Sequence, residues 1–132
     1  MNAQRTLAVA GVLMATGIMA GALAAHALKG VLQAGQLQSL HTAVNYQLFN
    51  ALGLLAVGLL QRQLPGPALR VTAVLLVAGI VCFSGSIYAL LADGPRWLGP
   101  VTPLGGVLLI AAWLQFAVVM LRHDKGAVQG QG

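Results

Sequence analysis

Eight side chains able to do more than pack stand within or beside otherwise apolar stretches of this chain: His26, His41, Asn45, Tyr46, Gln47, Ser84, Ser86 and Tyr88. The imidazoles could carry a proton or ligate a metal, and the amides and hydroxyls could hydrogen-bond a small polar molecule or a lipid headgroup. Catalysis would need partners for them, and partners are scarce. The two acidic residues, Asp93 and Asp124, both fall in hydrophilic breaks, so no carboxylate lies inside an apolar segment to relay protons or hold a cation. Ser84-Gly85-Ser86 resembles half of a nucleophile elbow but lacks the strand-to-helix turn that motif needs. His26 and His41 have no third ligand, because His123 belongs to the opposite end of the spans. Phosphate-binding loops, dinucleotide fingerprints, CxxC and HExxH are absent, and the single Cys82 cannot form an internal disulfide. These residues point to binding rather than catalysis, with no metal and no cofactor.

The elements that must position them follow from composition. Of 132 residues 58% are hydrophobic and only 7% are charged, where a soluble domain carries about a quarter charged residues. Hydrocarbon is the expected solvent. Four apolar runs of membrane-spanning length fit this chain: Thr6 to Leu28, Thr42 to Leu60, Arg70 to Ala92 and Leu104 to Leu121. Leu64-Pro65-Gly66-Pro67 separates the second from the third, and Asp93-Gly94-Pro95-Arg96-Trp97 the third from the fourth. Between the first two, Leu37, Leu40 and Val44 recur at helical spacing in polar surroundings and predict a short interfacial helix running into span two. The fold class is therefore all-α, a four-transmembrane-helix antiparallel bundle, as one membrane domain over residues 1–125 with a disordered Gly/Gln-rich tail at 126–132. Arg5 with the following apolar run and Ala25-His26-Ala27 imitates a cleavable signal, but the run is long for one and is read as a retained anchor.

The net charge of +5 comes from basic residues scattered singly at span ends, a pattern for topology and headgroups rather than nucleic acid. Arg5, Arg62, Arg70, Arg122 and Lys125 fall on one side and Lys29 and Arg96 on the other, which places both termini in the cytoplasm. With helices alternating in direction, His26, the polar start of span two, Ser84, Ser86, Tyr88 and Thr102 all lie toward the outer leaflet. An unsatisfied polar group in hydrocarbon costs several kcal/mol, so these side chains are expected to face one another or a small wet cavity. The same residue types are also ordinary interhelical glue. Gly17, Gly21 and Ala25 form a small-residue ridge suited to close helix packing, inside the bundle or in a homo-oligomer.

Four segments carry a family resemblance: Gly21-Ala22-Leu23-Ala24-Ala25-His26-Ala27-Leu28-Lys29, Thr42-Ala43-Val44-Asn45-Tyr46-Gln47-Leu48-Phe49-Asn50-Ala51-Leu52, Phe83-Ser84-Gly85-Ser86-Ile87-Tyr88 and Leu98-Gly99-Pro100-Val101-Thr102-Pro103-Leu104-Gly105-Gly106. In order and spacing they resemble the domain of unknown function 423 family, the YgdD-type bacterial inner-membrane proteins, with transmembrane protein 256 as an animal relative. The resemblance implies a four-helix inner-membrane protein with no established activity. Its pattern often has Gly at positions 24 and 27 and His at position 50, where this chain has Ala24, Ala27 and Asn50. The missing histidine argues against a His pair doing proton chemistry. The sequence thus leads to a non-enzymatic protein that contacts membrane lipids and holds a polar ligand or partner at its outer leaflet. An oligomeric small-solute transporter or channel is the alternative.

Overall fold

The computed structural model describes residues 1–130. Its helices are α1 (Ala3–Ala25), α2 (Ala34–Gln63), α3 (Pro67–Ile80), α4 (Ser86–Leu91) and α5 (Val101–Gln129), with a π-helical turn at Val81–Gly85 joining α3 to α4. Four stretches are long and apolar enough to cross a membrane: Ala3–Ala25, Ala34–Gln63, Pro67–Leu91 and Arg96–Gln129. The chain is a four-span, all-helical protein.

The first three helices start where the sequence supplies what a helix start needs. The Asn2 side chain accepts the Arg5 backbone N–H at 2.9 Å and opens α1, meeting one of the donors a first turn leaves free. The Gln36 side chain reaches back to the Gln33 backbone N–H at 3.1 Å and opens α2. Pro67 stands in the first turn of α3, where its missing N–H costs nothing. Asp93, at φ 60°, turns the chain out of α4.

The helical stretch expected between the first two spans runs straight into the second: residues 34–44 are the first turns of α2, because no breaker stands between the Gln33–Gln36 cap and Leu64-Pro65. One expectation needs correction. The tail is not irregular from residue 126. The α5 helix continues through Gln129, since a lone Gly126 weakens a helix without ending it, and residues 131–132 lie outside the described residues.

Packing follows chain order: α1 lies on α2, α2 on α3 and α4, and α3 with the π turn on α5. The main core joins Ala10, Leu54, Val57, Leu76, Ile80 and Leu109. A second cluster at the other end joins Ala24, Leu40 and Val44. Val12, Ile18, Phe49, Ile110, Leu114 and Leu121 face outward, the arrangement of a protein whose surroundings are apolar. Gly17 and Gly21 face α2: a Cβ built on Gly17 would meet the Leu48 side chain at 2.7 Å, and one on Gly21 would meet Val44 at 3.3 Å. The small-residue ridge is therefore filled within one chain, while Ala25 at its end is exposed. Gly105 brings α5 onto the backbone of the π turn, where a Cβ would meet Phe83 N first and the Cys82 carbonyl carbon at 2.7 Å.

Candidate functional site

The inward stripe of α2 is Leu40, Ala43, Val44, Gln47, Ala51 and Leu54, all buried and spaced three and four apart. This phase decides which of the eight singled-out residues meet. Gln47 belongs to the stripe, midway along α2. Asn45 and His41 belong to the outward face and are exposed, and His26 is exposed at the C-cap of α1. Tyr46 is 47% exposed and stacks on Phe83 with ring centroids 4.5 Å apart. The expected eight-residue pocket does not form: a helix turns about 100° per residue, so 45 and 47 cannot share a face. Among the described residues, no three of His, Cys, Asp and Glu come together.

What does form is a set of bonds between neighbouring spans. The Gln47 amide donates to the Leu13 carbonyl and to Thr16 Oγ1, each at 2.8 Å, tying α2 to α1. Tyr88 Oη donates to Gln47 Oε1 at 2.7 Å, tying α4 to α2. Ser84 Oγ, buried in the π turn, donates to the Ala43 carbonyl at 2.7 Å. Ser86 turns the other way, giving its proton to the Phe83 carbonyl at 3.0 Å and lying 2.6 Å from Thr102 Oγ1 of α5. Trp113 Nε1 donates to Asn50 Oδ1 at 2.9 Å, tying α5 to α2. Near the opposite end, Gln61 donates to the Leu69 carbonyl at 3.2 Å, while its Oε1 is buried without a partner among the described residues.

Thr16, Thr102 and Trp113 were not among the singled-out residues. A signal existed for each. Thr16 is a lone hydroxyl in mid-span, Thr102 opens a span beside two others with hydroxyls, and an indole N–H inside a membrane needs an acceptor.

Three of the eight, Gln47, Ser84 and Tyr88, share a wall. They line a cleft of about 330 Å³ between α1 and α3–α4, with α2 as its floor and Thr16, Ala20 and Ile80 among its other walls. Ala20 and Tyr88 also line the next cleft, of about 370 Å³, which Leu23, Leu28, Leu32 and Leu40 make apolar. Two clefts sharing two residues make one mostly apolar trench, with Gln47 among the lining of one part and leucines in the other, toward the loop between α1 and α2. Each part is within the usual size of a small-molecule site, roughly 300–1,000 Å³.

The model of a family described as a protein of unknown function (DUF423) matches residues 20–106. The chain belongs to the DUF423 family. The matched span begins at Ala20 in the trench and ends beside Gly105 on α5, so it holds the trench floor and far wall but not Thr16 or Trp113. A UPF0382 membrane protein, YwdK of Bacillus subtilis, is 42% identical over 112 residues, 84% of this chain and 89% of that protein. The UPF0382 inner membrane protein YgdD of Escherichia coli is 32% identical over 108 residues, 82% of each chain. A UPF0382 membrane protein of Haemophilus influenzae is 35% identical over 97 residues, 74% of this chain and 77% of that one. No solved structure matches. The chain is a membrane protein of this family with four helices long and apolar enough to cross a bilayer.

Proposed function

We propose that this protein is a non-enzymatic, multi-pass inner-membrane protein that holds a lipid-soluble molecule in the trench between α1 and α3–α4. One observation carries the reading: Gln47, buried midway along a span, lines a lipid-accessible cleft together with Ser84 and Tyr88. Interhelical glue alone does not require an open cleft beside it. The carboxylate-free trench gives Ser84 no general base and no triad partner, which supports binding over turnover. His26, His41, Asn45, Tyr46 and Ser86 drop out of the site, and Thr16 enters it. Both termini are placed in the cytoplasm on the basic-residue count, and reporters fused to either end that are active only in the cytoplasm are expected to be active.

Native mass spectrometry of gently solubilised protein tests the reading. The wild type is expected to keep a lipid-sized adduct, and Ala20→Phe, which puts a ring where the two clefts join, is expected to lose it. A wild type without any adduct, or an adduct that Ala20→Phe leaves untouched, refutes the trench as a ligand site.

A further inference from the structure

The protons along the trench wall decide which polar group it can hold. Tyr88 gives its proton to Gln47 Oε1. The Gln47 amide gives its two to the Leu13 carbonyl and Thr16 Oγ1. Thr16 gives its own to the Val12 carbonyl at 2.9 Å, and Ser84 gives its own to the Ala43 carbonyl. Backbone carbonyls only accept, so the directions of these bonds are fixed. The amide orientation is fixed too, because exchanging its oxygen and nitrogen would set Oε1 against the Leu13 carbonyl 2.8 Å away, acceptor on acceptor. Every side-chain donor on this wall is engaged inside the protein. What remains for a ligand are lone pairs on Gln47 Oε1 and Tyr88 Oη, since Ser84 is 1% exposed and its bond to Ala43 is buried.

A group that meets lone pairs must bring a hydrogen. Charge is a separate matter: neither cleft is lined by Asp, Glu, Lys, Arg or His, and an ion without a partner in an apolar site is heavily penalised. An ammonium is therefore disfavoured, and a carboxylate or phosphate is repelled by the lone pairs as well. We infer that the trench takes an uncharged long-chain alcohol, the class that includes acylglycerols. Its hydroxyl donates to Gln47 Oε1 or Tyr88 Oη, and its hydrocarbon lies along Ala20, Leu23, Leu28 and Leu40. This inference rests on the trench being a ligand site at all. A ketone or ether of equal length offers no hydrogen and gains nothing from the wall.

The test supplies hexadecan-1-ol and hexadecyl methyl ether separately to the solubilised full chain and reads adducts by native mass spectrometry. The alcohol is expected to be held at concentrations about threefold to tenfold lower than the ether, the factor one net hydrogen bond provides. Gln47→Met removes the amide and frees the Tyr88 proton, so the alcohol's advantage should vanish or reverse. Equal retention of both probes by the wild type, with both lost in Ala20→Phe, overturns the donor rule and leaves the trench as a site. Retention of neither probe, or adducts that Ala20→Phe leaves intact, overturns both readings. If Gln47→Met does not assemble, the wild-type ratio together with Ala20→Phe decides.

Discussion

A methyl group added at Gly105 should cost far more than one added next door at Gly106. A Cβ on Gly105 would meet Phe83 N, with the Cys82 carbonyl carbon and Phe83 Cα both at 2.7 Å. These are backbone atoms of the π turn, not the end of a flexible side chain, so they cannot swing aside. Ordinary contact begins at 3.4 Å, and α5 would have to retreat by more than about 0.7 Å, a strain of the kind that overpacking causes at roughly 1–3 kcal/mol. The retreat also pulls Thr102, one turn away, from its 2.6 Å contact with Ser86, which adds about 0.6 kcal/mol on the average for interhelical bonds in membranes. At Gly106 the nearest atom to an added Cβ is Phe83 Cδ2 at 3.8 Å, and Ala there gains up to about 1 kcal/mol of helix propensity. Reversible unfolding in mixed micelles, with denaturing detergent as the variable, should place Gly105→Ala about 1–3 kcal/mol below wild type, the same propensity gain being set against its cost, and Gly106→Ala at or above it. Equal stabilities for the two variants would show that α5 does not rest on the π turn as described.

Other substitutions probe the bonds between spans. A double-mutant cycle on Gln47→Met and Tyr88→Phe should give a coupling of about 0.6 kcal/mol and no more than about 1.7, and strictly additive costs would mean that the 2.7 Å bond between them contributes nothing. Trp113→Phe keeps a ring against Gly53 but strips Asn50 Oδ1 of its donor, so the same unfolding assay should show a loss of about 1–3 kcal/mol. His26→Ala and His41→Ala, exposed and outside every side-chain bond described, should each stay within about 0.5 kcal/mol of wild type. A larger loss at either would return the histidines to the site.

The spans were legible because length and hydrophobicity are additive along the chain: Pro65, Pro67, Asp93 and Pro95 mark the breaks, and the runs between them cross a membrane by size alone. Helix starts were harder to read. The capping exchange between Gln33 and Gln36 draws α2 back to Ala34, eight residues before the apolar run begins at Thr42. That backward extension puts Gln47 midway along the helix, level with Thr16 of α1 and Tyr88 of α4, to which it bonds. Grouping by depth also ignored phase. His41 and Asn45 are four apart and do share a face, as expected, but it is the face that looks away from α1 and α3.

The π turn is the element that no periodicity announced. Val81-Cys82-Phe83-Ser84-Gly85 reads as continuous apolar helix, and nothing local demands the wider turn. Its neighbours do: Gly105 admits its backbone from the α5 side, and the Ala43 carbonyl receives Ser84 from the α2 side. Such a turn fits an extra residue into one turn, and the two serines that flank Gly85 then serve opposite helices, Ser84 facing α2 and Ser86 facing α5. With Ser84 committed to Ala43 and Tyr88 to Gln47, α4 is held against the trench from both ends of one helical turn. The polar groups along that wall are therefore held at fixed spacing by bonds within the protein, and a hydroxyl ligand of the kind proposed would meet a site that does not have to reorganise.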